Sequence, residues 1–395
     1  MLDCIPTSTW ASKLTPKPRV KLNIGLSLII EMVETKNLYR MGKAMEMMRA
    51  LQYVKVGEPP QIMSVPKPKA GPGQIVLKVT AAGVCHSDEF VMGLPEDVFG
   101  AMGWSTPMTL GHEGAGVVHE LGEGVTEFKV GDAVLVYGPW GCGSCSYCVQ
   151  GKEMLCPFAA GMGIQPPGLG APGSMAEYVL IDSPRHLIPL GDLDPVQNVS
   201  LTDAGLTPYH AIKNSVSKLG AGSTAVVIGT GGLGHMGIQI LRALTGTTVI
   251  ALDLSEQKLE LAKEVGAHHV MKSTDADIVE KVKALSGGIG ANAVFDFVGA
   301  NPTAELAGKL VRPEGDVHII GVGGGALPVG IGTVPYDTNV RSPYWGSRLE
   351  LMEVVELARA GKIKVEYERF SLDDGPKAYE RLHKGDLRGR AVLVP

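Results

Sequence analysis

The sequence lacks three features that would place it in a simple protein class. No apolar run reaches the ~20 residues that span a bilayer, since the best candidate, Leu22 to Ile30, ends at Glu31. Neither sign of charge dominates, with 36 Lys and Arg, 41 Asp and Glu, and a net charge of −5. No internal repeat of the solenoid kind is visible. We therefore expect a protein that binds neither membranes nor nucleic acids.

We also expect no secretory signal peptide, because a polar stretch with Pro6, Pro16 and Pro18 precedes the short apolar run. We expect a cytoplasmic protein. The composition of residues 1–47 differs from that of the rest, and no chemistry is recognisable there. A disordered N-terminal extension is the expected reading, with a targeting arm as the alternative.

The remaining chain predicts an α/β protein with two domains, since 395 residues exceed one compact domain. Up to about residue 200 the pattern is β-rich, with apolar or alternating runs bounded by Gly and Pro. Beyond it, strands and helices alternate, which predicts a doubly wound parallel sheet. The predicted strands are 50–56, 75–81, 114–121, 225–228, 249–252, 293–297 and 317–321, and the predicted helices are 233–244 and 256–265.

A glycine-rich turn follows the strand at 225–228 and opens the first of these helices. It matches G-x-G-x-x-G, with Gly229, Gly231 and Gly234 at the fixed positions and Gly232 and Leu233 between them. In that context the motif predicts a dinucleotide site with the diphosphate at the helix N-terminus. Asp253, 19 residues after Gly234, can accept hydrogen bonds from the ribose and favours NAD over NADP. The alternative is a glycine-rich turn beside a surface acid.

Four cysteines form a compact C-x2-C-x2-C-x7-C cluster: Cys142, Cys145, Cys148 and Cys156. Four thiolates this close can surround one Zn²⁺ with no open position, which is typical of a structural site. Disulfides and an iron–sulfur cluster are the alternatives. A cytoplasmic chain disfavours the first, and the spacing differs from ferredoxin patterns.

A further set of potential metal ligands is dispersed along the chain, and spacing alone does not assemble it. Gly111-His112-Glu113, followed by Gly116, Gly122 and Val125, matches the signature G-H-E-x2-G-x5-G-x2-V. Cys85-His86-Ser87-Asp88 is similar to C-x-S-D. With the cysteine cluster and the glycine turn in the same order, the chain from Met48 to Pro395 resembles zinc-containing alcohol dehydrogenases of the medium-chain superfamily. It is most similar to bacterial NAD-dependent secondary-alcohol dehydrogenases.

This resemblance implies a GroES-like catalytic domain at 48–204 and 343–395, which includes the structural zinc lobe, and a Rossmann NAD-binding domain at 205–342. It also implies reversible hydride transfer between an alcohol or ketone and NAD(H), with two zinc ions per chain in a homodimer or homotetramer. By the same resemblance, Cys85, His112 and Asp203 hold a catalytic zinc, with Asp203 where liver-type relatives have Cys. Glu113 is the acid near the ion, and Asp88 orients His112.

Further roles follow from the same match. Ser87 passes the substrate proton, while His86 and Arg390 face the diphosphate of NAD. Liver-type relatives end their proton relay with a His at the position of Phe90, so the proton leaves here by another route, through His86 or through the cofactor ribose and water. Weaker cofactor candidates are Thr207, Val298 and Val322. Candidates for the substrate pocket, or else ordinary core aromatics, are Phe90, Trp104, Tyr344 and Trp345.

Two alternative functions stay open from the sequence. One is a polyol or aldehyde-adduct dehydrogenase on the same fold, which calls for more polar groups in the pocket. The other is a non-catalytic nucleotide- or zinc-binding scaffold, whose mark is the loss of a catalytic ligand.

Overall fold

The computed structural model describes residues 45–395. The predicted extension at 1–47 therefore lies, apart from its last three residues, outside the described residues. From Met47 onward the chain forms one compact unit. In this part of the chain the strands are β1 Met47–Tyr53, β2 Gln61–Pro66, β3 Ile75–Val84, β4 Met108–Thr109, β5 Glu113–Leu121, β6 Ala133–Val136, β7 Tyr178–Ile181, β8 Leu187–Pro189, β9 Thr224–Ile228, β10 Thr248–Asp253, β11 His269–Lys272, β12 Ala291–Asp296, β13 Val311–Ile319, β14 Asn339–Arg341, β15 Tyr367–Ser371 and β16 Arg390–Val394.

The α-helices of residues 45–395 differ widely in length, from four to twelve residues. They are α1 His86–Met92, α2 Glu96–Ala101, α3 Pro195–Asn198, α4 Leu206–Lys213, α5 Gly234–Leu244, α6 Glu256–Glu264, α7 Ile278–Leu285, α8 Asn301–Leu310, α9 Arg348–Arg359 and α10 Gly375–His383. None of the helices in this range is long and apolar enough to cross a membrane.

A six-stranded parallel sheet confirms the predicted doubly wound fold. Its strand order is β11-β10-β9-β12-β13-β14. Because side chains alternate along a strand, Val227 and Ala251 belong to the apolar core on one face, and Val226 and Ile250 to that on the other. The order reverses between β9 and β12, where the carboxyl ends of strands form a ligand-binding crevice.

The remaining strands form a predominantly antiparallel second layer. One sheet has the order β15-β16-β3-β5-β6-β8, with β7 also paired to β3, and β2-β1-β4 form a smaller one. Strand β16, at the C-terminal end of the chain, lies between β15 and β3. The C-terminal strands β15 and β16 therefore help to build the sheet whose strands β3 and β5 adjoin Cys85 and His112.

The predicted strand 50–56 is found at Met47–Tyr53, and the helix after the glycine turn starts at Gly234 rather than at 233. The two helices directly after β3, α1 and α2, were not predicted. They have seven and six residues, which is too short for a helical period to stand out. Short helix α1 matters because its first residues carry part of the site described next.

Candidate active site

The fold brings the dispersed ligand candidates together. Cys85 lies between β3 and α1, His112 directly precedes β5, and Asp203 follows a 3-10 turn before α4. The potential ligand atoms of Cys85, His112, Glu113 and Asp203 all lie within 4.8 Å of one another, and all four residues are buried. The carboxyl end of β3, the start of β5 and the loop before α4 thus meet at one point.

The separations of these atoms suit a tetrahedral zinc ion. Cys85 Sγ lies 3.3 Å from Asp203 Oδ2, and His112 Nε2 lies 3.8 Å from the same oxygen. Zinc bonds of about 2.0–2.3 Å at tetrahedral angles separate ligand atoms by about 3.3–3.8 Å. The chemistry of the set, one thiolate, one imidazole and one carboxylate, also matches a catalytic site with a position left for substrate.

Hydrogen bonds behind the cluster fix the orientation of His112. Its Nδ1 lies 2.8 Å from Asp88 Oδ1, so Nε2 faces the other ligands. Asp88 accepts hydrogen bonds from the Cys85 backbone N–H at 3.0 Å and from the Tyr379 hydroxyl at 2.9 Å. Tyr379 was not singled out from the sequence, because it lies 291 residues from Asp88.

The carboxylates around His112 favour positive charge in the cluster. Burial disfavours a charged imidazole, but the charge of Asp88 and the hydrogen bonds that Asp203 and Asp88 accept from the ring outweigh it, so the pKa of His112 lies well above its usual value. Thr207 donates a hydrogen bond to Asp203 Oδ1 at 2.7 Å and holds the carboxylate in place. A buried site of this kind favours a divalent cation.

Glu113 and Arg390 form a buried ion pair beside the cluster. Arg390 donates to Glu113 Oε1, and its Nη1 lies 3.8 Å from Cys85 Sγ. Glu113 Oε2 is buried without a hydrogen-bond partner, which leaves it able to approach a cation. Residue 83 must be glycine here, because a Cβ atom would collide with this carboxylate.

The glycine turn has the geometry that a dinucleotide requires. Gly229 has a φ of 82°, in the left-handed region that favours glycine. A Cβ atom on Gly234 would collide with the Gly229 carbonyl, whereas the space beside Gly231 is open. Gly231 and Gly232 line a pocket. Three side chains that can bind an anion, those of His86, Lys258 and Arg390, line the same pocket, together with the apolar Val84.

Asp253 lies at the end of β10, beside this turn. Its Oδ2 accepts a hydrogen bond from the Thr230 N–H at 2.7 Å, and its Oδ1 accepts from the backbone of Leu254 and Ser255 at 2.8 and 3.0 Å. The carboxylate therefore joins the glycine turn to the loop that follows β10. Val298 is close enough to the turn that its Cγ2 would lie 2.6 Å from a Cβ on Gly229.

The other cofactor candidates take different positions. Val322 is half-exposed, beyond the end of β13. His86 lines the same pocket as Arg390. Desolvation and the positive charges of Arg390 and Lys258 lower the pKa of His86 to about 4. A lowered pKa favours the neutral imidazole, which can offer a hydrogen bond to an anion.

The candidate pocket aromatics divide into two pairs. Trp345 packs edge-on against the His112 ring with centroids 5.6 Å apart, and its Nε1 donates to the Thr202 carbonyl at 2.8 Å. Tyr344 is half-exposed and contacts Trp345. Trp104 donates to Gln165 Oε1 and packs against the apolar core, while Phe90 on α1 is half-exposed.

The four clustered cysteines converge as a second set of ligands. The Sγ atoms of Cys145 and Cys148 lie 3.5 Å apart, and those of Cys145 and Cys156 lie 3.9 Å apart. A disulfide needs about 2.05 Å, whereas ligands on a tetrahedral zinc with 2.3 Å bonds are separated by about 3.8 Å. Hydrogen bonds from the Ser144 backbone and hydroxyl lower the pKa of Cys142 to about 6, which favours the metal-binding thiolate.

Buried polar side chains hold the backbone of this cysteine lobe through hydrogen bonds. Glu153 Oε2 accepts hydrogen bonds from the Gly141 N–H at 2.8 Å and lies 2.9 Å from His186 Nε2. Arg185 donates to the Gly141 carbonyl at 2.7 Å. His186 is fully buried and stacks on Trp140. The backbone before Cys142 is thus held from both its N–H and its carbonyl.

Comparison with known families agrees with this geometry. Residues 71–192 match the alcohol dehydrogenase GroES-like domain, and residues 232–359 match the zinc-binding dehydrogenase family. An NAD-dependent alcohol dehydrogenase of Sulfurisphaera tokodaii is 34% identical over 359 residues, which cover 88% of this chain and 100% of that protein. The chain belongs to the zinc-dependent alcohol dehydrogenases. The predicted family is thereby confirmed.

Other relatives show how varied this alcohol dehydrogenase family is. The crystal structure of an alcohol dehydrogenase from Aeropyrum pernix has a TM-score of 0.81 and 34% identity, and it covers 88% of this chain and 100% of that one. An acetophenone reductase from Geotrichum candidum, in complex with NAD, has a TM-score of 0.78 and 31% identity over 90% and 99% of the two chains. A D-arabinose 1-dehydrogenase (NADP(+)) of Saccharolobus solfataricus is 34% identical over 86% of this chain and 96% of that protein.

Proposed function

We propose that this NAD-dependent alcohol dehydrogenase transfers hydride reversibly between a secondary alcohol or its ketone and NAD(H). The observation that carries the proposal is the buried cluster of Cys85, His112 and Asp203, joined through Arg390 to the glycine turn at Gly232. A metal site and a dinucleotide site that share one arginine are placed to act on the same substrate.

In this proposal Cys85, His112 and Asp203 hold the catalytic zinc, and the glycine turn and Asp253 hold NAD. The zinc supplies a Lewis acid for the substrate oxygen, and NAD supplies the hydride acceptor. Asp88 keeps Nε2 of His112 aimed at the ligand cluster. The Glu113 carboxylate offsets the charge of Arg390 and keeps that side chain between the two sites.

Ser87 is the proposed first acceptor of the substrate proton. Its hydroxyl lies 3.7 Å from Cys85 Sγ, at the edge of the ligand cluster. The next step of the route differs from that of the liver-type relatives because position 90 is Phe. A histidine with a pKa of about 4 does not retain a proton at neutral pH, so we propose that the proton passes to water, by way of His86 or the cofactor ribose.

The preference for a secondary alcohol rests on an apolar aromatic wall. Tyr344 and Trp345 pack against each other, and Trp345 lies against the ligand His112. Flat apolar surface beside the metal favours a carbon-rich group on the reacting carbon. The acetophenone reductase among the relatives acts on a ketone of this kind, as its name states.

We further propose the domain limits and the assembly. The catalytic domain comprises 48–204 and 343–395, and the NAD-binding domain 205–342, in keeping with the family matches at 71–192 and 232–359.

A cytoplasmic homodimer or homotetramer is the proposed state. The exposed side chains of Ile331 and Tyr336 before edge strand β14 support contact with a second copy. Light scattering in solution gives the number of subunits.

Formation of NADH from NAD, followed by absorbance, tests the proposed reaction. We expect faster turnover of 2-propanol or a longer secondary alcohol than of ethanol, loss of turnover after chelation, and recovery with Zn²⁺. Faster turnover of the primary alcohol contradicts the secondary-alcohol preference. No turnover of any alcohol, with zinc and NAD both bound, contradicts the reaction itself.

A sugar or polyol substrate is the second candidate. It is favoured by one observation, the 34% identity to a D-arabinose 1-dehydrogenase. The same assay with D-arabinose and with polyols separates the two candidate substrate classes. An aromatic wall offers an aldose few hydrogen-bond partners, so an enzyme with this wall should prefer the secondary alcohol. A site built to bind hydroxyl groups should instead reject substrates that lack those groups.

A further inference from the structure

His235 is a fully buried histidine in the first turn of α5, directly after the glycine turn. Its Nδ1 lies 3.0 Å from the Gly231 carbonyl oxygen, and its Nε2 lies 3.3 Å from the Glu366 backbone nitrogen. A carbonyl only accepts and a backbone N–H only donates. His235 must therefore be neutral with its proton on Nδ1, and burial lowers its pKa in the same direction.

The bond to Gly231 controls the direction of a peptide group in the diphosphate pocket. Gly231 O also accepts the His235 backbone N–H at 3.1 Å, so this carbonyl is held by one residue through two bonds. In a planar trans peptide, the carbonyl and the following N–H point in opposite directions. Fixing the Gly231 carbonyl toward His235 therefore directs the Gly232 N–H away from His235, and both Gly231 and Gly232 line the pocket.

The bond to Glu366 reaches the second anion-binding group of the same pocket. Glu366 O accepts a hydrogen bond from the Arg390 backbone N–H at 2.9 Å, where β15 and β16 begin to pair. One turn along α5, Gln239 holds both the carbonyl and the N–H of Lys364 at 2.9 Å. Side chains of helix α5 thus hold the backbone of the segment 364–366 through hydrogen bonds. That segment in turn fixes the start of β16, the strand that carries Arg390.

We propose that His235 is a positioning residue for the coenzyme diphosphate. It holds the Gly232 N–H and the Arg390 guanidinium at positions from which both can bind the diphosphate. The proposal rests on the proposed function, since it assumes that NAD binds at this turn. The two groups are already close, because a Cβ on Gly232 would lie 2.7 Å from Arg390 Cδ and from Nη1. Loss of His235 leaves both groups present and removes their common support.

Calorimetric titration with ADP, which carries the diphosphate, and with adenosine, which carries no phosphate, tests this role on the zinc-loaded protein. In His235→Ala we expect the Kd for ADP and for NADH to rise about tenfold, which corresponds to ~1.4 kcal/mol lost from the diphosphate contacts that His235 positions. The Kd for adenosine stays within about twofold, since the ribose and adenine contacts at Asp253 are unchanged. In kinetics the KM for NAD rises more than kcat falls.

Two conservative variants separate the two hydrogen bonds. An Asn side chain can place its amide N–H near the position of Nδ1, and Gln can place its amide oxygen near Nε2. We expect His235→Asn to recover most of the ADP affinity, because it keeps the donor to Gly231. His235→Gln recovers less, because it keeps the link to Glu366 alone. These variants also keep the test valid if the Ala variant folds poorly.

His318→Ala is the matched control. His318 is equally buried and lies on β13 of the parallel sheet, its Nε2 lies 2.8 Å from Ser215 Oγ, and neither residue is part of the glycine turn's pocket lining. It should lower the unfolding midpoint without changing the ratio of ADP to adenosine affinity. An equal loss of ADP and adenosine binding in His235→Ala, or an unchanged Kd for ADP, overturns the positioning role. A wild-type protein that binds neither ADP nor NADH overturns the proposed function instead.

Discussion

At the scale of a residue, Asp253 links the local fold to the proposed choice of coenzyme. Its two oxygens accept hydrogen bonds from the backbone of Thr230, Leu254 and Ser255. A negative charge fixed there repels the 2′-phosphate of NADP. The next side chain, Leu254, is 67% exposed, so a replacement at 254 can reach a bound nucleotide without disturbing the core.

We therefore expect the double variant Asp253→Gly/Leu254→Arg to prefer NADP over NAD. The ratio of kcat/KM for the two coenzymes should shift by at least about tenfold, since removing a repulsive charge and adding an attractive one exceeds ~1.4 kcal/mol. Leu254→Arg alone is the control for the added charge. An unchanged preference for NAD in the double variant rules out Asp253 as the ribose-binding acid.

At this same scale, the sequence predicted some ligands from local spacing and others only through resemblance. The four cysteines lie within 15 residues of each other, and their spacing alone indicates a metal. Cys85 and Asp203 are 118 residues apart, so no local pattern joins them. Tyr379 was not predicted, because a hydroxyl aimed at Asp88 leaves no periodic signal, whereas Trp345 was named only through the resemblance.

The cysteine lobe, at the scale of an element, has little regular structure of its own. Its short 3-10 turns, Cys148–Gln150 and Glu153–Leu155, bury few apolar side chains. A segment without an apolar core depends on other bonds to stay ordered. Here those are the hydrogen bonds of Glu153 and Arg185 to Gly141 and, in the proposed holoenzyme, the zinc thiolates.

The substitution Cys145→Ser tests the lobe as a unit. We expect the zinc content measured by atomic emission to fall by about one ion per chain and the thermal unfolding midpoint to drop by several degrees, because a structural zinc contributes directly to folding. Ser146→Ala, an exposed change in the same loop, should leave both values as they are. Full zinc content and an unchanged midpoint in Cys145→Ser contradict the structural site.

In the nucleotide-binding half, β9, α5, β10 and α6 were predicted within one residue at each end, whereas β11, β14, α7 and α8 were not predicted, and neither were the helices around the cluster. Strand β9 has five buried residues in succession and is followed by the glycine turn, so pattern and motif agree. Helices α1 and α2 have only seven and six residues and depend on tertiary packing. The site was therefore predictable where it follows regular elements and not where packing alone fixes the backbone.

At the scale of the whole molecule, the chain contains the full length of a related enzyme. The Sulfurisphaera tokodaii relative is matched over 100% of its own length by 88% of this chain. The first strand, β1, begins at Met47 and pairs with β2 from its first residue. Arg49 donates to Glu177 and Asp373, which secures that strand within the described unit.

A chain that begins at Met45 should consequently retain the dehydrogenase fold and activity. We expect its kcat/KM to stay within about twofold of the full-length value and its unfolding midpoint to be unchanged, since terminal segments outside the packed unit contribute little to stability. A start at Lys55, which removes β1, is the matched longer deletion and should not fold. Loss of activity in the Met45 chain contradicts the assignment of 1–47 as an extension.

The position of β16 has a consequence for how the protein is made. Arg390, which stands between the metal ligands and the nucleotide turn, belongs to the last strand of the chain, and that strand pairs with the one that leads to Cys85. Synthesis proceeds from the N-terminus, so a nascent polypeptide can fold its parallel sheet on the ribosome while this site is still incomplete. Emergence of β16 from the ribosome completes it, and a product that terminates before β16 carries Cys85, His112 and Asp203 without the arginine that lies between them and the glycine turn.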